Sequence, residues 1–403
     1  MKILYIGTVC NVQNYEKEIA KYKVKPTVAP LVFETAFVGG LKQNNADVDV
    51  LTFPIFPAFP DSSKIFWKRK KETLECGYTT TWLSAVNITG LKQKCFEISS
   101  RYQIEKWIKQ NSDEEKVIIM YSIFQPVAKS VISVAKKYNI SCFSIVTDLP
   151  RDMYSLCGES TIKKELAKIY TRRAQKIQGL FDGYIYLTKY MSEVINPDTK
   201  YVVMEGVAEI SDVTMPDISQ KHKPRAIMYA GSLNRIYGLD NMIKAFQLID
   251  DKNIELWFFG SGEYENDIRQ FAKQDDRIKF FGRVSRDEIL EYEKKASLLV
   301  NVRDCNEEFT KYSFPSKTTE YMLSGTPVLT TKLAGIPDEY FEYVFSIGDN
   351  KIETIKNKLM EFINCTDEEL INMGAKAQQF IVSDKNAFKQ AKKVIDFMKT
   401  FKD

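Results

Sequence analysis

Residues 303–331 combine a cation, a proline-started helix and an acid in the order an anion site needs. The stretch reads RDCNEEFTKYSFPSKTTEYMLSGTPVLTT. Proline suits the first helical turn, so Pro315 predicts a helix starting near Ser316 and closing at Ser324-Gly325. A helix N-terminus offers free N–H groups and a partial positive charge, which fits a diphosphate. Lys317 adds a full charge at that end, and Glu320, one turn in, is spaced to accept the two hydroxyls of a ribose. An ordinary solvated helix face accounts for Glu320 equally well at this point. Three glycine-bearing loops join this segment: Gly231–Gly238 (GSLNRIYG), Gly260–Glu263 (GSGE) and Gly282–Ser285 (GRVS). Each alone reads as a tight turn. In series at successive strand ends they favour a shared cleft in which the backbone of Gly231, Ser232, Gly260 and Gly262 approaches a ligand.

Composition removes several other chemistries. His222 is the one histidine, so a multi-histidine metal site is excluded and a Ser-His-Asp triad nearly so. The seven cysteines form no CxxC pair and read as reduced, mostly buried thiols. No metal is expected. A net charge of +4 from 57 basic and 53 acidic residues argues against a dedicated nucleic-acid binder. The opening MKILYIG reads as a strand, and nothing reaches the ~20 apolar residues of a spanning helix. The expected setting is cytoplasmic, with peripheral attachment at the inner face of the membrane as an option.

The elements that must hold these residues alternate between short apolar runs and helical patterns. Strands are expected at Lys2–Gly7, Val48–Phe53, Val117–Tyr121, Ser141–Val146, Gly183–Thr188 and Tyr201–Glu205. A second set is expected at Ala226–Gly231, Glu255–Gly260, Lys279–Gly282, Ser297–Val302, Thr326–Thr331 and Tyr343–Gly348. Continuous apolar runs suit parallel sheets covered on both faces. Apolar stripes mark intervening helices, one at Ile162, Leu166, Ile169, Tyr170 and Ile177 and another at Leu239, Met242, Ile243, Phe246 and Ile249. The pattern predicts α/β architecture with two doubly wound domains. Their expected bounds are 1–205 and 225–385, with a polar linker at 206–224 and a last helix at 386–403 that could pack back on the first domain.

The segment 226–340 resembles retaining glycosyltransferase family 4, of the GT-B class. The landmarks are the loop at Gly231–Gly238, FFGSGE at Phe258–Glu263, FFGRV at Phe280–Val284 and FPSKTTEYMLSGTPVLTT at Phe314–Thr331. The resemblance implies two Rossmann-like domains facing across a cleft, with a nucleotide-sugar donor, a substrate and not a cofactor, held mainly by the second. By position, Glu320 matches the second glutamate of the family's Glu-x7-Glu motif, and Tyr312 stands where the first would be. Ser313, Phe314, Pro315 and Ser316 match the segment whose backbone meets donor sugar and phosphates. Arg283 and Val284 match the backbone that meets the base. The family's leaving-group clamp, an arginine and a lysine, falls at Ser232 and Tyr237. Arg235 and Lys317 are the expected substitutes, with Arg303 third.

In the first domain, Asp148 ends a strand where the family often has a histidine, so it is the candidate for a sugar hydroxyl; a helix-capping role competes. Asp152 follows in the same loop, and Gly7 and Thr8 are expected on the acceptor side. The activity implied is sugar transfer to a saccharide or lipid-linked saccharide in capsule, O-antigen or exopolysaccharide assembly. A non-catalytic partner subunit and a nucleotide-sugar epimerase are the alternatives. The basic runs Phe66–Lys71 and Lys164, Lys168, Arg172 and Lys176 suit an anionic membrane surface, or are solvated faces.

Overall fold

A computed structural model describes residues 1–22, 29–53, 55–122, 124–149, 161–208, 210 and 213–401. The chain forms two compact units, Met1–Val207 with Ala387–Asp403, and Ala208–Asn386. Asp152 and Cys157 lie outside the described residues, as does the side chain of Lys164.

The first unit contains β1 (Lys2–Gly7), β2 (Asp47–Thr52), β3 (Phe66–Trp67), β4 (Lys71–Thr73), β5 (Thr79–Trp82), β6 (Ala85–Val86), β7 (Lys116–Tyr121), β8 (Ser141–Val146), β9 (Gly183–Tyr186) and β10 (Tyr201–Val203). Eight of these form one sheet in the order β10-β9-β8-β7-β1-β2-β5-β4, while β3 and β6 pair separately. The sheet is parallel except at β4. Its chain direction switches between β1 and β7, and an open α/β sheet presents its ligand crevice at such a point.

Strands β3 to β6 were not expected. β3 and β6 are apolar pairs too short to show a period, and β4 and β5 are mostly polar, so that only alternation marks β5: Thr80 and Trp82 are buried while Thr79 is exposed. They also change the reading of Phe66–Lys71. Trp67 is buried against Phe56 and Trp82, so Phe66 alone of the two aromatics is exposed beside the lysines. In helix Thr161–Gln178 the expected stripe holds at Ile177 and fails at Ile169, which is 46% exposed.

The final helix, Ala387–Lys399, belongs to the first unit and packs on helix Ala29–Gln43. Gly40 makes this approach feasible, since a Cβ there would sit 2.1 Å from the Ala387 carbonyl oxygen. Asn44 donates to the Phe388 carbonyl at 2.8 Å, and Val394 and Met398 enter the core beside Phe37 and Leu41. Gly40→Val should therefore lower stability by at least about 2 kcal/mol, because backbone cannot yield as a side chain does. Urea denaturation would register it, and an unchanged midpoint would remove this contact as a stability determinant.

The second unit has β11 (Arg225–Ser232), β12 (Ile254–Ser261), β13 (Ile278–Gly282), β14 (Leu298–Asn301), β15 (Val328–Thr331) and β16 (Phe345–Ile347). All pair in parallel in the order β13-β12-β11-β14-β15-β16. This is the dinucleotide-fold order, with its switch between β11 and β14. β15 starts at Val328 and not at Thr326 because Pro327 has no N–H for the ladder. The stripe Leu239, Met242, Ile243, Phe246 and Ile249 is buried against this sheet. Part of the polar stretch before β11 is docked on this unit: Lys221 Nζ donates to the Ala296 carbonyl and Thr326 Oγ1, and His222 stacks near Trp257.

Candidate functional site

The carboxyl ends of the second sheet gather most of the residues singled out by sequence. Gly231 and Ser232 end β11, and Tyr229 Oη donates to the Ser232 carbonyl at 2.9 Å. The glycines interlock neighbouring loops. Gly260 has φ +127° and lies so close to the Gly231 carbonyl that a Cβ would be 1.8 Å from it. A Cβ on Gly238, at φ +78°, would meet the Val302 carbonyl at 2.1 Å, so this loop sits directly against the end of β14. Gly262 packs likewise on Leu233. These glycines therefore have a structural reason that does not depend on a ligand.

Helix Ser316–Leu323 starts after Pro315, and no side chain caps its N-terminus. Tyr321 anchors it to β11: its hydroxyl donates to the Ala230 carbonyl at 3.0 Å and accepts from the Ala230 N–H at 2.9 Å. Phe314 is buried against Tyr340 and Tyr312 is buried too, which leaves the backbone of this segment, not its rings, for any ligand. Arg283 is exposed and Val284 half-buried in the turn after β13, and Ser285 then opens helix Arg286–Lys295 with a capping box to Glu288.

Glu320 meets three ionisable groups, two of which sequence reading did not supply. Lys317 forms a tight ion pair with it, and Arg286 approaches it at 3.9 Å. Glu293, fully buried, lies 3.7 Å from Lys317 and faces Glu320. Burial and the Glu320 charge push the Glu293 carboxyl well above the usual range. Burial opposes ionisation of Glu320 as well, but the charge and hydrogen bond of Lys317 outweigh it and hold that carboxyl low. One proton serves the pair: Glu293 carries it and Glu320 stays ionised. Glu293 was foreseeable in one respect, since it falls four residues after Ile289 on the inward side of its helix.

The three expected cations are in different states. Arg235 is exposed, bridges to Asp267 at 2.8 Å and stacks 4.4 Å over Tyr264. Lys317 is taken by Glu320 and Glu293. Arg303, two residues past β14, stacks 4.6 Å over Tyr237.

The first-unit candidates lie at the ends of β1 and β8. Asp148 is exposed and accepts from Thr147 Oγ1 at 3.0 Å. Gly7 and Thr8 stand over Glu34, a residue sequence reading missed. Glu34 is fully buried and accepts from Thr8 N–H at 2.9 Å, from Thr8 Oγ1 and from Tyr5 Oη at 2.8 Å. Among the described residues no group of three or more His, Cys, Asp or Glu could hold a metal ion, and no helix is long and apolar enough to cross a membrane.

Residues 212–399 match the sequence model of the family described as glycosyl transferases group 1. This part of the chain, just under half of it, is similar to group 1 glycosyltransferase domains. No curated protein sequence matches the chain. Among solved structures, a sucrose-phosphate synthase from Thermosynechococcus elongatus is 12% identical with TM-score 0.64, covering 99% of both chains. A trehalose-6-phosphate protein of E. coli bound with UDP-2-fluoro glucose is 9% identical with TM-score 0.65, covering 100% of both. Anabaena HepE in complex with UDP and glucose is 13% identical with TM-score 0.59, again over 100% of both. At these identities the likeness shows the fold, which is that of GT-B glycosyltransferases. The matched segment contains the switch point, the helix Ser316–Leu323 and Glu320 together.

Proposed function

We propose that the chain moves a hexose from a nucleotide sugar, a UDP- or GDP-sugar, onto a saccharide or lipid-linked saccharide hydroxyl with retention at the anomeric carbon. The setting proposed is assembly of a bacterial capsule, O-antigen or exopolysaccharide. The observation that carries the reading is Glu320: a carboxylate kept ionised beside an uncapped helix N-terminus, at the carboxyl edge of a nucleotide-type sheet in a segment similar to group 1 glycosyltransferase domains. An ionised carboxylate accepts from two vicinal hydroxyls, as a ribose presents them. Two of the similar structures carry UDP or a UDP-sugar, which favours uridine as the base.

In the reaction the bond from the anomeric carbon to the diphosphate oxygen breaks and its electron pair stays on the diphosphate. The acceptor oxygen bonds to the same face of that carbon, and its proton leaves with the diphosphate. The charge that grows on the leaving group is met by fixed cations and helix N–H groups, without a metal. Asp148, Gly7 and Thr8 are proposed for sugar and acceptor hydroxyls. Attachment to an anionic membrane through Phe66 and the exposed Lys68, Arg69, Lys70 and Lys71 is proposed with the lipid-linked acceptor.

The test is a thermal-shift panel of UDP, GDP, ADP and their sugars, with Glu320→Ala as control. A ligand at about 100 times its Kd adds roughly 2.7 kcal/mol to stability. One nucleotide class should raise the melting temperature of the wild type and not of the control. A wild type stabilised by none would overturn the reading. Binding without hydrolysis or transfer would instead favour a non-catalytic subunit, a reading that Tyr312 in place of a glutamate supports.

A further inference from the structure

We infer that Arg303 is the residue that holds the donor diphosphate, a role that neither Arg235 nor Lys317 is free to fill. This rests on the nucleotide-sugar reading above and deepens it. The argument is one of charge compensation. Of the three cations expected to meet the diphosphate, two already have acids: Asp267 for Arg235, and Glu320 with Glu293 for Lys317. Arg303 has neither an ion-pair nor a hydrogen-bond partner among the described residues, and its Nε is buried without an acceptor.

Such a group is costly. A guanidinium cannot shed its proton at neutral pH, so burial without an anion is a standing penalty. What surrounds Arg303 holds it in place without neutralising it. Its plane stacks on Tyr237, and the phenols of Tyr229 and Tyr321 stand close enough to feel its charge. Burial raises the phenols of Tyr229 and Tyr321, so neither supplies a negative charge at neutral pH. The Val302 backbone is wedged against Gly238, which fixes where Arg303 leaves the strand.

The place decides what anion is missing. Arg303 leaves the end of β14, and Gly231–Gly238 leaves the end of β11; these two strands flank the topological switch, where open α/β sheets bind ligands. Tyr321, whose hydroxyl ties helix Ser316–Leu323 to Ala230, also borders Arg303. A planar five-donor guanidinium suits a phosphate oxygen pair. The pyrophosphate of a nucleotide sugar supplies that pair between base and sugar.

The test compares UDP with uridine, and GDP with guanosine, by calorimetry on the wild type, Arg303→Met and Arg303→Lys. Methionine keeps the length of the side chain and removes the charge. The expected result is a loss of roughly 10- to 100-fold in diphosphate affinity for Arg303→Met, with nucleoside affinity unchanged and Arg303→Lys in between. The ligand-free melting temperature of Arg303→Met should stay level or rise by about 1–3 °C, since an unpaired cation has gone. A structural role predicts the opposite, a lower melting temperature with nucleoside and nucleotide weakened together, and that outcome overturns the assignment. So does wild-type affinity for UDP and GDP in Arg303→Met. If the wild type binds no nucleotide, the donor reading fails. Inorganic pyrophosphate then tests Arg303 alone: stabilisation of the wild type that Arg303→Met lacks retains the anion site, and its absence ends it.

Discussion

Glu320→Ala should lower kcat/KM for the nucleotide sugar by about two to four orders of magnitude while leaving the protein folded. The loss follows from hydrogen bonds to an ionised acceptor, each about 1.5–3 kcal/mol, with two of them expected on a ribose. The modest effect on folding follows from Glu293. In the wild type Lys317 has two acids within reach, one ionised and one protonated. Burial is the larger cause that keeps Glu293 neutral and the Glu320 charge the second; removing Glu320 takes away the second, so that the Lys317 charge favours ionisation of Glu293 in its place. Glu293→Gln alone should also fold, because it replaces a neutral carboxyl by a neutral amide. The double variant leaves Lys317 near no acid of the pair, and its stability should fall below the sum of the two single effects by about 1–3 kcal/mol. Steady-state kinetics and urea denaturation at pH 7 on the four proteins decide it. Additive stability losses would show that Glu293 does not take over the charge. Unimpaired kcat/KM in Glu320→Ala would remove Glu320 from the donor site.

The same residues show how far sequence alone reaches. The strand ends of the second unit, the glycine loops and the helix after Pro315 were all legible, because each rests on local backbone chemistry: continuous apolar runs, positive φ at Gly260, and the geometry of proline. What was not legible is which cations remain uncompensated. Arg235, Lys317 and Arg303 look alike as letters. Two of the acids that meet them come from helices that chain order does not bring near, Asp267 from Glu265–Gln274 and Glu293 from Arg286–Lys295, while Glu320 lies one turn from Lys317 in the same helix. Ranking them depends on their partners, and it is on the partners that the proposal above puts Arg303 first. Among the short strands, β3 and β6 have two residues each, too few for any period, and the polar residues of β4 and the threonine alternation of β5 carry little hydrophobic signal. Glu34 left a clearer trace that went unread. It stands three residues after Leu31, three before Phe37 and four before Val38, an acid within the buried side of helix Ala29–Gln43.

That acid should make the whole protein's stability depend on pH. Burial pushes the Glu34 carboxyl up to about 7, against hydrogen bonds from the Thr8 hydroxyl and amide, Tyr5 and the Val9 amide that favour its ionised form. An unfolded chain releases the same proton near 4.5. Between those values the folded state binds more protons at Glu34 than the unfolded one does, so the contribution of this group to stability is full below pH 4.5 and is lost as pH rises to about 7. The full loss is about 3 kcal/mol. The other ionisable groups facing Glu34 are Tyr5, Tyr121 and Cys10; burial raises all three, and they stay neutral across this window. Glu34→Gln cannot ionise. Urea denaturation at pH 4.5, 6 and 8 should show the wild-type stability falling relative to this variant by that amount. A constant difference across the three pH values would mean that Glu34 is already ionised in the fold. Gly7→Ala tests the same carboxyl by geometry, because a methyl there would lie 1.8 Å from Glu34 Oε2. It should displace the carboxyl and release the Thr8 N–H. The wild-type pH slope should then be lost along with stability, since a carboxyl driven from its pocket titrates as it does in the unfolded chain. Because Thr8 follows β1 at the switch of the first sheet, the same displacement should raise the acceptor KM more than the donor KM.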